Sequence, residues 1–163
     1  MRIYVNLIAL VVVAVCLGGC SLFGGGDADV DLHHGIATGI RVGERLYAPE
    51  STLRGCQPSG EKSTRDSFIC TSGPHAGLLI RMAGDVHDSK VLQIVLTSDF
   101  QGTVEEGVGI GTSSETVRKA LGPGVCSGAS AYSFGAYGAM FDYDPDARVF
   151  SITLVRDQFA CAY

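Results

Sequence analysis

Residues 90–99 read KVLQIVLTSD and residues 148–157 read RVFSITLVRD, and the match between these stretches decides how the chain is read. At a constant offset of 58, Val91, Ile94, Leu96 and Asp99 meet Val149, Ile152, Leu154 and Asp157. The basic opening residue Lys90 meets Arg148. Phe150, Ile152 and Leu154 fall on one side of an extended chain, with Ser151 and Thr153 on the other. In the first stretch Leu92, Ile94 and Leu96 are expected inward, with Gln93 and Thr97 outward. A period of two with one apolar face predicts half-buried antiparallel strands.

Upstream of each strand a second match appears. Val42-Gly43 and Leu53 pair with Ile110-Gly111 and Leu121 at an offset of 68. In the later copy Thr112-Ser113-Ser114-Glu115 has the spacing of a capping box. Val117, Ala120 and Leu121 follow at helical spacing, and Gly122-Pro123-Gly124 stops the helix. In the earlier copy Pro49 falls inside the aligned helix, where it would remove a backbone donor, so a broken helix or one starting at Pro49 is expected. The fall in offset from 68 to 58 leaves about ten surplus residues in the first copy, assigned to the polar stretch 57–66. The expected fold is therefore α+β: two tandem similar units, 35–100 and 105–163, each a short helix packed on a small antiparallel sheet.

Ile110, Gly111, Thr112, Val117, Leu121, Gly122 and Pro123 form a pattern that resembles small lipoproteins of the SmpA/OmlA type. The pattern is also similar to the tandem units of β-lactamase inhibitor protein. The resemblance covers about fourteen residues and implies a helix-on-sheet scaffold that holds another protein by its sheet face or loops.

The amino terminus reads as an address. Arg2 precedes an eleven-residue apolar run, LIALVVVAVCL at 7–17, which suits a signal-peptide core and is short for a membrane span. It ends Leu17-Gly18-Gly19-Cys20, which resembles the lipobox of bacterial lipoproteins. That resemblance implies a signal peptide at 1–19, lipidation of Cys20 and anchoring in a membrane of the bacterial cell envelope. In that family Asp after the Cys favours inner-membrane retention. Ser21 stands there instead, so the implied address is the outer membrane, facing the periplasm, in a cell with two membranes. Residues 20–34 then read as the lipidated Cys and a flexible tether, with Gly24-Gly25-Gly26 followed by Asp27, Asp29 and Asp31. Those carboxylates with His33-His34 could hold a divalent ion loosely, and a charged spacer is the plainer reading.

The chain has 163 residues, 46% hydrophobic and 18% charged, with a net charge of −5. The acidic balance argues against a nucleic-acid partner. Loss of residues 1–19 removes Arg2 and leaves 11 basic against 17 acidic side chains, a net −6. Six Cys point to an oxidising compartment. With Cys16 removed and Cys20 lipidated, Cys56, Cys70, Cys126 and Cys161 remain, and four Cys allow three pairings. Pairing within each unit, Cys56–Cys70 and Cys126–Cys161, is favoured. A zinc site would call for close Cys pairs, and no C-x-x-C occurs.

Catalytic motifs are absent in convincing form. Ser59 and Lys62 have the S-x-x-K spacing, but Pro58 and Gly60 describe a loop. Gly107, Gly109 and Gly111 lack the full dinucleotide-loop pattern. Asp142, Asp144 and Asp146 lack the Gly and distal Glu of a calcium loop. His75 and His87 have no nucleophile beside them in sequence. The expectation is a non-catalytic, lipid-anchored protein-binding or structural module, with no cofactor, no metal and no nucleic acid. Tyr132, Phe134 and Tyr137 are its candidate protein contacts, weighed against a core-facing role. Two alternatives stand beside it: an inhibitor of a periplasmic or foreign hydrolase such as lysozyme or β-lactamase, and an unrecognised enzyme or metal carrier.

Overall fold

The computed structural model describes residues 28–59, 67–84, 88–125 and 130–156. The chain starts with three short strands, β1 (Val30–Asp31), β2 (Ile36–Ala37) and β3 (Ile40–Arg41), which pair antiparallel in a small sheet of their own. Then come β4 (Arg45–Tyr47), a one-turn helix α1 (Pro49–Thr52), β5 (Cys56–Pro58), β6 (Ser67–Cys70), β7 (Leu78–Gly84) and β8 (Asp88–Leu96). Helix α2 (Ser114–Leu121) precedes β9 (Ala131–Phe134), β10 (Tyr137–Tyr143) and β11 (Val149–Val155).

The expectation of two tandem helix-on-sheet units is corrected by the pairing of these strands. One eight-stranded antiparallel sheet runs β5-β6-β7-β8-β11-β10-β9, and β4 also pairs with β8. The two matching stretches are its central strands, and they pair with each other. Ile94 faces Leu154, Leu96 faces Ile152, and Val95 lies opposite Thr153, its own counterpart at the offset of 58. The halves thus meet about a local twofold at Val95 and Thr153. A strand pairs best with a partner whose apolar residues share its face, so the halves merge into one sheet with one core. The helical layer is slight. α1 begins at Pro49 and lasts one turn, leaving α2 as the sole longer helix among the described residues. β5 is the outer strand of the first half, most of the surplus stretch lies outside the described residues, and beside β9 the Val125 N–H donates to the Ala131 carbonyl at 2.9 Å.

Rows of paired residues cross the sheet. Phe68, Ile80, Ile94, Leu154, Ala139 and Tyr132 form one row on the core face, and Leu78, Leu96, Ile152 and Phe141 form the next. All are buried, and they share a cluster with Val30, Leu32, Val42, Leu53, Val104, Val108 and Val117 from outside the large sheet. Each fully buried aliphatic side chain contributes about 1.5–3 kcal/mol. The supposed tether therefore ends earlier than His34. Val30 and Leu32 are 0% and 1% exposed and belong to the body of the fold.

Two departures from regularity recur at matching places. The β7–β8 register slips between Arg81 and Met82, and the β10–β11 register slips between Asp142 and Tyr143. The unmatched residue is Leu92 in β8 and Phe150 in β11. At each bulge the chain upstream is stitched to the strand. Gly43 N–H donates to the Val91 carbonyl and Gly111 N–H to the Val149 carbonyl, both at 2.7 Å. Val91 N–H returns to the Glu44 carbonyl and Val149 N–H to the Thr112 carbonyl, both at 2.9 Å. Gly43 (φ 90) and Gly111 (φ 82) adopt a left-handed conformation that glycine takes without steric penalty.

This stitching also moves the helix cap. Ser113, rather than Thr112, caps α2, its Oγ accepting the Thr116 N–H at 3.2 Å. Thr112 is still engaged with Val149, so the helix starts one residue after the expected position. Gly122 ends it at φ 80, where the helix stop was expected.

Candidate functional site

A β-bulge inserts one residue and flips the alternation beyond it. Ile94 and Leu96 point into the core as expected, but at the bulge Val91 takes the inward position. Leu92 is turned out and is 49% exposed. The same slip buries Val149 and leaves Phe150 47% exposed, correcting the inward assignment of both Leu92 and Phe150. An exposed single Leu is ordinary, whereas two large apolar residues delivered outward by matching bulges are a feature of the architecture.

The surroundings of Leu92 are basic. Gly43, Lys90, Val91, Leu92, Val155 and Arg156 line a shallow groove where β8 passes from its β4 partner to its β11 partner. Arg81, one strand over and exposed, lies in register with Gln93. Beside Phe150, Arg148 is exposed and its guanidinium donates to the Gly111 carbonyl at 3.0 Å. A chain of net charge −5 thus gathers cationic side chains around its outward apolar residues.

The residues singled out from sequence fall elsewhere. Tyr132 is 6% exposed and packs edge-on against Phe141, with ring centres 5.5 Å apart, so it is a core residue. Phe134 and Tyr137 are half-buried against the same core, covered in part by the amino-terminal segment. The His33 ring meets Phe134 edge-on at 4.8 Å, and Tyr137 lies over Gly35. The aromatic strand is thus folded inward by residues 33–35, and its availability as a contact surface is reduced accordingly. Cys56 and Cys70 form a disulfide between directly opposed residues of β5 and β6. Cys20, Cys126, Cys161, His87 and Lys62 lie outside the described residues.

The remaining motifs have structural explanations. Asp144 Oδ1 accepts the N–H groups of Asp146 and Arg148, which closes the β10–β11 turn, and Asp142 accepts the Ser151 hydroxyl at 2.6 Å. Gly107 and Gly111 sit in turns at positive φ. His75 Nδ1 lies 2.7 Å from the Thr38 hydroxyl, and burial pushes the imidazole pKa below its ordinary value. Near the amino terminus, His33, Glu105 and Glu106 present ligand atoms within 4.8 Å of one another. The two glutamates escaped notice in the sequence because they lie more than seventy residues from His33. No family model, no curated protein and no solved structure matches the chain.

Proposed function

We propose that this chain is a lipid-anchored protein of the bacterial envelope that works by binding another protein through the groove around Leu92. The partner surface is apolar at its centre and acidic at its rim. The observation that carries this reading is Leu92 itself, turned out of the strand by the bulge and flanked by Lys90 and Arg156. An apolar centre within a charged rim is how protein interfaces divide affinity from specificity. A basic rim on an acidic chain selects an acidic counterpart and steers its approach.

The anchor rests on the lipobox-like Leu17-Gly18-Gly19-Cys20. Nine residues separate Cys20 from Val30, the first buried residue of the body. At about 3.3–3.6 Å per residue, the body of a lipidated chain stays within roughly 35 Å of its attachment point. The partner is therefore sought at the membrane surface.

The test uses the full chain in detergent-solubilised envelopes. The account expects lipid labelling that disappears with Cys20→Ala. It also expects a co-purifying protein whose recovery falls at least about tenfold with Leu92→Ser. Undiminished recovery with Leu92→Ser would remove the groove from the account.

A further inference from the structure

Residues 29–32 are pinned alongside the loop that leaves β8. Val30 N–H donates to the Thr103 carbonyl at 3.1 Å. Asp29 Oδ2 accepts the Thr103 N–H at 2.7 Å and the Thr103 hydroxyl at 3.0 Å. Leu32 N–H donates to Glu105 Oε2 at 2.9 Å. Val30 and Val104 are bridged in parallel orientation, so advancing one residue along either segment keeps the two side by side. Just beyond this bridge the side chains of His33, Glu105 and Glu106 converge, with their ligand atoms within 4.8 Å of one another.

Several properties distinguish this group from an ordinary acidic patch. It contains an imidazole from one segment and two carboxylates from another, joined by a backbone frame that does not depend on them alone. The imidazole is placed by its edge contact with Phe134, so it is not a freely rotating surface side chain. The site is rich in carboxylates: Asp31 also lies against Glu105, and Asp31 Oδ2 is 2.7 Å from His34 Nδ1. Each imidazole or carboxylate bond to zinc is about 2.0–2.2 Å long, so ligand atoms of a tetrahedral site stand about 3.4 Å apart. Side-chain rotation has to draw the three groups together from 4.8 Å by up to about 1.4 Å.

We infer that His33, Glu105 and Glu106 form a site for a divalent transition-metal ion, Zn²⁺ in the first instance. One imidazole with two carboxylates suits a borderline ion better than Mg²⁺ or Ca²⁺, which take oxygen ligands. Three protein ligands leave an open position, and the site is solvent-accessible through His33 and Glu106. The ion ties residue 33 to residues 105–106 and so fastens the amino-terminal segment to the loop before α2. It does so three residues past the point where the chain enters the body from Cys20.

The test is calorimetric titration of the metal-stripped full chain, in detergent, with ZnCl₂, alongside thermal denaturation. The expected result is one Zn²⁺ per chain and a rise in melting temperature. His33→Ala and Glu106→Gln should each weaken binding at least about tenfold, and His34→Ala should change it less than about twofold. MgCl₂ and CaCl₂ should give no comparable heat. The substituted side chains, His33, His34 and Glu106, are exposed, so unchanged melting of the metal-free variants verifies their folding. Absence of saturable Zn²⁺ binding would overturn the site. Full affinity in His33→Ala, or a loss in His34→Ala as large as in His33→Ala, would do the same.

Discussion

Leu92 and Phe150 are the unmatched residues of two bulges that occupy corresponding positions on either side of the Val95–Thr153 pair. Each lies three residues along its strand from that pair, which sets them roughly 20 Å apart at about 3.3 Å per residue. Both are about half exposed, so their side chains contribute less to folding than core residues. Leu92→Ser and Phe150→Ser should each cost about 1 kcal/mol or less of unfolding free energy. Ile94→Ala and Ile152→Ala, two residues away on the same strands and fully buried, should cost about 2–5 kcal/mol each. Urea denaturation of the four variants reads the contrast. A large loss in the serine variants would show that these residues belong to the core.

The bulges rely on the left-handed glycines that bind them. Gly111→Ala should destabilise by about 1–2 kcal/mol, since a Cβ there meets open space and only the backbone conformation is penalised. Gly43→Ala should cost more. Its Cβ would approach the Arg156 Cδ to 2.8 Å, so the arginine must also move. The same substitution should weaken partner binding through displacement of Arg156, whereas Gly111→Ala should leave it unchanged. Chemical denaturation paired with binding measurements separates the two outcomes.

The Cys56–Cys70 bond closes a loop with a sequence separation of 14 at the outer edge of the sheet. Loop closure of this size is worth about 3 kcal/mol. The Cys56→Ser/Cys70→Ser double variant should lose about 2–4 kcal/mol in urea denaturation, with β5 and β6 losing amide-exchange protection first. The central strands β8 and β11 should remain the most protected.

The pH response follows from His75 and Asp29. Burial lowers the His75 pKa in the folded chain, so folding favours the neutral ring. That contribution is complete above the ordinary imidazole value of about 6.5 and is lost as pH falls below it. The Thr103 N–H and hydroxyl hold the Asp29 carboxyl below its ordinary value, so its contribution is present at neutral pH and lost on further acidification. Stability should decline in two stages from pH 7.5 to 3. His75→Gln, which keeps a hydrogen-bonding partner for Thr38, should remove the first stage. Urea midpoints across pH give the profile, and an unchanged first stage in His75→Gln would contradict this assignment.

Much of the sheet was legible because its information is local. The alternation around Ile94 and Ile152 is a period-two signal, and the Gly43 and Gly111 match marked two stitches that prove equivalent. What periodicity could not show was that the two strands pair with each other, because pairing is a choice between distant segments. A bulge leaves no mark in the pattern either, so Leu92 and Phe150 read as inward. Asp27, Asp29 and Asp31 carried the charge pattern of a solvated spacer, but Val30 and Leu32, placed between and after the acids, insert into the core. His33 was visible as a ligand while Glu105 and Glu106 were not, because only the parallel bridge between Val30 and Val104 brings them together. Tyr132 stood as a candidate contact beside a core-facing role, since aromatics serve cores and interfaces alike, and its burial selects the core.

The central claim is that the groove around Leu92 is where a partner docks. A photo-crosslinking residue placed at position 92 in the full chain, irradiated in intact envelopes, tests it directly. A matching probe at Gln57, exposed on the outermost strand β5, serves as the control. The account predicts one discrete protein adduct from position 92, abolished by Lys90→Glu/Arg156→Glu, and none from position 57. Equal adducts from both positions, crosslinks to lipid alone, or no adduct from position 92 would contradict it.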